Sequence, residues 1–313
     1  MKYMNHIENI VLSGGGVKGL VHIGALQILE ELNLLNQIKK YCGSSIGGFI
    51  CLLLNLEFNV SDIERLFLCI NPNSIVNFNP DNINNLFDKL GCENMDKVKH
   101  IIEIILRQKT NNHNLTFMEL YNLTHKELTI TGSCISHYRV SYFNWKTTPN
   151  MSVVEALKIT MCFPYMFEPI VNNNKSYVDG GVCSNFPIEF FKDEIDKTLG
   201  IVLANNSGNN NDTNANANIE IKPVTDLFAL SFSLFYSVLT EIDVMKHSVW
   251  KEQTILINTN QSTLHFDIPN SRKLELITLG RSSIREYITY KKEKAIYSFA
   301  DNFIKEIISS IKL

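Results

Sequence analysis

Three short stretches of this chain carry residues suited to acyl transfer. The first is Gly43-Ser44-Ser45-Ile46-Gly47, a G-x-S-x-G sequence with Ser45, not Ser44, at its centre. On a sharp strand-to-helix turn such a serine holds its Oγ out toward solvent. The flanking glycines leave room for the turn, and the helix N-terminus sets a positive dipole end beneath the oxygen. The second stretch is Gly14-Gly15-Gly16-Val17-Lys18-Gly19. Serine attack on an ester creates a negative oxygen. Backbone N–H groups of Gly14, Gly15 and Gly16 can approach it unhindered, each such donor stabilising it by roughly 3–4 kcal/mol. Lys18 either lends this loop positive charge, ties it down, or is an ordinary exposed lysine of a first helical turn. The third stretch is Tyr177-Val178-Asp179-Gly180-Gly181, whose carboxylate at a strand end is the best candidate for the base that a nucleophilic serine needs. His247 and His265 both follow Asp179 and offer a rival Ser–Asp–His triad in the chain order of α/β-hydrolases. Neither lies in a glycine-bounded turn after a strand, and both are more simply surface or core residues.

The first glycine cluster also fits the dinucleotide pattern G-x-G-x-x-G. That reading requires an acidic residue about 20 positions on, and there is no Asp or Glu between Glu31 and Glu57. The phosphate-loop motif fails as well, because Leu20 stands where its lysine is required.

Elements that position these residues are visible in the apolar pattern. Ile10-Val11-Leu12 reads as a strand entering the first loop. Val17, Leu20, Val21, Gly24, Ala25, Ile28, Leu29 and Leu32 then follow helical spacing to about Leu34. A second strand is expected near Lys39–Cys42. Ile46 to Leu56 is apolar on nearly every side, as a buried helix is. Ser61–Glu64, Thr116–Glu119 and Ser152–Glu155 match the capping-box pattern of helix starts. Residues 71–94, with Phe78, Leu86 and Phe87, read as a loop plus a short helix, either capping a site or simply connecting elements. Strands are expected at Leu128–Ile130, Tyr138–Phe143, Ser176–Val178, Leu199–Leu203, Thr254–Asn258 and Leu264–Ile268, and a helix from Ser283. Alternating strands and helices imply an α/β fold with a mainly parallel sheet between two helical layers. The polar stretch Asn205 to Asn218 is expected to be a flexible loop inserted in one α/β domain spanning 1–313, with residues 219–313 completing the fold.

Composition narrows the function classes. Of 313 residues, 45% are hydrophobic and 19% charged, a globular balance. The net charge of −3 argues against a nucleic-acid binder that works by phosphate neutralisation. Seven scattered cysteines without a C-x-x-C pair read as reduced thiols and not as a zinc site. No metal and no cofactor are expected. No run is long enough to span a membrane, and the first residues lack the apolar core of a secretory signal. The expected location is cytoplasmic, with peripheral contact on membranes. For that contact the apolar run Leu227 to Leu239 offers Phe228, Phe232 and Phe235 on one helical face, although the run reads first as a core helix whose serines face solvent.

Taken together, the Gly14–Gly19 loop with Lys18, the Gly43–Gly47 elbow and Asp179-Gly180-Gly181 resemble the patatin-like phospholipase family. Cys162-Phe163-Pro164, Phe167-Glu168-Pro169 and Asn185-Phe186-Pro187 strengthen the resemblance, which covers about residues 7–192. Cys162 stands where the family often carries a smaller residue. The resemblance implies a three-layer α/β/α fold and a Ser45–Asp179 dyad in place of a triad. It also implies an oxyanion hole around Gly15 and Gly16, and hydrolysis of phospholipid or other lipid esters without a metal. A catalytically inactive lipid-binding protein of the same fold is the alternative of a different class.

Overall fold

The computed structural model describes residues 6–70, 86, 88–205, 224–263 and 267–311, without the side chains of 224–234, 236 and 298–311. A parallel core of five strands runs β10-β9-β1-β2-β4, from Thr254–Thr259 (β10), Thr198–Asn205 (β9), Asn9–Leu12 (β1), Lys40–Gly43 (β2) and Glu127–Cys134 (β4). Beyond β4 the pairing becomes antiparallel, through Lys175–Asp179 (β8) to Ile170–Asn172 (β7), while Arg139–Phe143 (β5) folds back on β4. Gly91–Glu93 (β3) and Tyr165–Phe167 (β6) form a separate two-stranded sheet.

The central strands are buried on both faces, as a parallel sheet between helices must be. In β1, Ile10 and Leu12 enter one core while Val11 enters the other; in β9, Ile201 and Leu203 oppose Val202 in the same way. The larger core holds helices Gly19–Glu31 (α1), Ile46–Asn55 (α2), Val60–Cys69 (α3) and Asn270–Ile311 (α9). Helices Asp96–Thr110 (α4), Phe117–Thr124 (α5) and Val153–Thr160 (α6) continue that layer. On the other face, Phe186, Ile188 and Phe191 pack with Trp250, which follows helix Val224–Val249 (α8); the short helix Gly181–Ser184 (α7) leads into this segment. This is a three-layer α/β/α fold.

Several expectations need revision. Helix α1 ends at Glu31, three residues short of Leu34, and α9 begins at Asn270, well before Ser283. The cap of α3 is Asn59, whose side chain accepts from Asp62 N–H, so Ser61 is already inside the helix. Thr116 and Glu119 form the expected reciprocal box. Ser152 sits at the N-cap of α6, but its hydroxyl donates to Asn114 Oδ1 and caps nothing. Asp267 and Ile268 are not strand, and 264–266 lie outside the described residues, as do 71–85, Phe87 and 206–223. The expected cap over the site and the Asn-rich loop fall largely there.

Candidate active site

Parallel strands β1, β2 and β9 point their C-terminal ends the same way, which brings the two glycine motifs together. The chain leaves β2 at Gly43, and Ser45 is the N-cap of α2 with φ 50° and ψ −127°. A non-glycine residue at such angles costs on the order of 1–3 kcal/mol, so its surroundings must hold it there. They do so from several sides. Ser45 N–H donates to Thr160 Oγ1 at 2.8 Å, Ser44 N–H to Leu12 O at 3.3 Å, and Gly47 N–H to Ser44 O at 2.8 Å. A Cβ at Gly43 would strike the Gly47–Gly48 peptide, and one at Gly47 the Leu12 and Ser13 carbonyls, so only glycine lets this turn close.

Ser45 Oγ donates to Asp179 Oδ2 at 2.7 Å. Asp179 reaches it because β8 lies antiparallel beside β4, with Asp179 opposite Gly132. The other carboxylate oxygen, Oδ1, accepts Gly181 N–H at 2.7 Å. Burial pushes the Asp179 pKa up from 3.8 to about 7, against the lowering pull of the Ser45 and Gly181 hydrogen bonds.

The first loop abuts this pair. A Cβ on Gly14 would stand 3.2 Å from Ser45 Cβ. Gly14 N–H is not free to meet a substrate, however, because it donates to Asn185 O at 3.0 Å. That corrects the expectation of three equivalent glycine donors. Val17 and Lys18 N–H are also engaged, on Thr263 O and Gly15 O. Among the described residues, Gly15, Gly16 and Ile46 N–H have no acceptor.

Lys18 is not the exposed lysine of a first turn: it is 2% exposed and donates to Asn205 Oδ1 at 2.6 Å. Burial lowers its pKa to about 8, with the charge of Asp243 pulling the other way. His22, fully buried on α1, bonds Ser13 O through Nε2 at 2.9 Å. A carbonyl only accepts, so Nε2 is the donor and the ring is neutral; burial lowers its pKa to about 4. The elbow and loop thus rest on Thr160, His22 and Asn185. Of these, sequence reasoning singled out only the Asn185-Phe186-Pro187 stretch, and no periodicity or spacing marks the others.

Of the two candidate triad histidines, His247 bonds Thr254 Oγ1 through Nδ1 at 2.7 Å. Thr254 begins β10, which lies three strands along the sheet from β2, the strand that leads into Ser45. His265 lies outside the described residues. The pair Ser45 and Asp179 therefore has no described histidine to extend it.

An apolar pocket of about 190 Å³ opens on the pair, lined by Leu20, Phe49, Phe67, Met161 and Phe163 together with Ser45 and Asp179. Its lining suits a hydrocarbon chain, and its position brings such a chain to the hydroxyl. No cluster of three or more His, Cys, Asp or Glu able to hold a metal occurs among the described residues, and no described helix is long and apolar enough to cross a membrane.

Comparison with known proteins agrees with this architecture. The chain is 29% identical over 287 residues to uncharacterized protein R571 of Acanthamoeba polyphaga mimivirus, covering 91% of this chain and 94% of that one. It is 33% identical over 191 residues to probable lipid hydrolase 463L of Invertebrate iridescent virus 6, covering 59% of this chain and 63% of that one. Among solved structures, VipD from Legionella pneumophila shares the fold with a TM-score of 0.61 at 16% identity, over 91% of this chain and 67% of VipD. A sequence model described as patatin-like phospholipase matches residues 10–192, more than half of the chain. The chain belongs to the patatin-like phospholipase family.

Proposed function

We propose that this protein is a lipid acyl hydrolase of the phospholipase A type, with Ser45 as nucleophile and Asp179 as its base. The observation that carries the reading is the 2.7 Å hydrogen bond from Ser45 Oγ to Asp179 Oδ2 at an apolar pocket.

In the first half-reaction Ser45 Oγ attacks the ester carbonyl carbon and its proton passes to Asp179 Oδ2. The carbonyl oxygen becomes an oxyanion against the N–H groups of Gly15 and Gly16, with Ile46 N–H beside Ser45 as a further donor. The tetrahedral species collapses with cleavage of the bond to the alcohol oxygen, which takes the proton back from Asp179. Water then attacks the acyl-enzyme, giving its proton to Asp179. The Ser45 C–O bond breaks, Oγ is reprotonated, and the fatty acid leaves. A free aspartate is a weak base for a hydroxyl. Burial that raises the Asp179 pKa to about 7 makes it a stronger one and supports its role here. Every step uses groups of this chain, substrate and water.

Contact with a lipid surface is transient in this proposal. It is supported by helix α8, where Phe235, Val238, Ile242, Met245 and Val249 are exposed at alternating spacings of three and four. The side chains of Phe228 and Phe232 lie outside the described residues. Vesicle co-sedimentation of the Phe235→Ser/Met245→Ser variant should fall below wild type, and equal binding refutes the contact.

The function is tested by incubating the protein with phosphatidylcholine vesicles and with triacylglycerol emulsion and reading released fatty acid by mass spectrometry. Wild type should release acid from phospholipid, and Ser45→Ala should fall by at least a thousandfold. Turnover no greater than that of Ser45→Ala on every substrate would leave a lipid-binding protein of the same fold.

A further inference from the structure

Behind the catalytic pair lies a buried polar cluster for which the mechanism above has no use. Asp243, on α8, is 1% exposed, although nothing in the reaction calls for a carboxylate there. Its Oδ2 accepts Asn185 Nδ2 at 2.6 Å. Asn185 is the residue at which both halves of the site meet. Its carbonyl oxygen accepts Gly14 N–H, and its Oδ1 fills the space a Cβ would take at Gly14 and at Gly181. Gly14 belongs to the oxyanion loop, and Gly181 N–H holds Asp179 Oδ1. One side chain therefore packs against the donor loop and against the turn that carries the base.

The orientation of that side chain is set by Asp243. An ionised carboxylate accepts only, so it selects the NH₂ end of the amide and turns Oδ1 toward the two glycines. Lys246, one turn along α8, fastens the same segment by donating to Phe186 O at 2.8 Å and to Ser184 Oγ at 3.0 Å, and it pairs with Glu189 at 2.9 Å. Lys18, in the loop itself, feels the Asp243 charge. A buried carboxylate is costly, and retaining one here is explained if it fixes geometry.

We infer that Asp243 is a positioning residue, which locks the Asn185 amide and so sets the oxyanion loop against the Ser45–Asp179 pair. The inference rests on the proposed function and deepens it. Loss of the lock lets Asn185 turn and the loop shift. A displacement of about 1 Å at a catalytic centre lowers rate by roughly a hundredfold. Because the pocket walls are not part of the cluster, the loss should fall on kcat and leave KM within about threefold.

The experiment measures kcat and KM on a p-nitrophenyl acyl ester, per active site titrated with a fluorophosphonate, for wild type, Asp243→Ala, Asn185→Asp and Asn185→Asp/Asp243→Asn, with Ser45→Ala, measured per total protein, as the background. Asp243→Ala should lose 10- to 100-fold in kcat per titrated site. Asn185→Asp sets two carboxylates face to face and should lose at least as much. The double variant restores the bond with donor and acceptor exchanged, and should recover at least tenfold over Asn185→Asp. A purely structural role would lower the melting temperature and the titrated fraction while leaving kcat per site unchanged; that result overturns the inference. If Asp243→Ala does not fold, the comparison of Asn185→Asp with the double variant decides, and absence of recovery refutes the lock. Wild type no faster than Ser45→Ala would instead overturn the hydrolase reading and this inference with it.

Discussion

The acid limb of the pH–rate profile follows from where Asp179 sits. An exposed aspartate ionises near 3.8, and a base with that pKa would be fully active at pH 5.5. Asp179 is 4% exposed, and among the described residues two donors, Ser45 Oγ and Gly181 N–H, stabilise its charge. Burial outweighs them and holds the group near 7. Only the ionised form accepts the serine proton, so kcat/KM in free enzyme should fall about tenfold per pH unit below that value. At pH 5.5 about 3% of the plateau should remain. The assay is initial-rate hydrolysis of a soluble p-nitrophenyl ester from pH 4.5 to 9, with circular dichroism at each pH to show that the protein is folded. Asp243, near 6, and Lys18, near 8, titrate close by. The same scan on Asp243→Asn separates them, since a limb that belongs to Asp179 stays near 7. A limb centred near 4 in wild type would refute the argument that a desolvated carboxylate is the base.

Three further outcomes are expected. Thr160→Val removes the acceptor of Ser45 N–H and leaves that donor unpaired in a strained turn; stability should drop by about 1–3 kcal/mol in urea unfolding and kcat by about tenfold. His22 has a folded pKa near 4 against 6.5 when unfolded, so the unfolded chain binds the extra proton between those values. Its contribution to stability is present above about pH 6.5 and is lost as pH falls toward 4; His22→Gln should flatten that part of a urea-midpoint-versus-pH curve. Leu20→Trp narrows the pocket and should raise KM for a long-chain ester at least tenfold more than for an acetyl ester.

How much of this was legible in the residues depends on whether the signal was local. The elbow is local: glycines at 43 and 47 around Ser45 between an apolar strand and an apolar helix name the turn before any coordinates exist. So are the loop at 14–19 and the turn at 179–181, and the alternation of apolar strands and helices indicates the layers. The Thr116–Glu119 cap was readable for the same reason. The misplaced cap at Ser61 shows the limit of local signals, because Asn59 two residues earlier offers an equally good oxygen and wins. What could not be read is what depends on distant pairing. Asp243 sits in a mainly apolar helix with no motif around it, and only the packing of α8 against the sheet brings it to Asn185, 58 residues away. Thr160 reaches Ser45 across 115 residues for the same reason. Commitment of Gly14 N–H to the Asn185 carbonyl likewise needs the third dimension. The edge strands β6 and β7 are three residues each, too short to carry a period.

The central claim is that the Ser45 hydroxyl, activated by Asp179, carries the acyl group. The most direct measurement is peptide mapping by mass spectrometry after reaction with a long-chain fluorophosphonate, with the labelling rate followed in parallel. The adduct should fall on the peptide containing Ser45, be absent in Ser45→Ala, and form at least a hundredfold more slowly in Asp179→Asn. Labelling of another residue, or an unchanged rate in either variant, would contradict it.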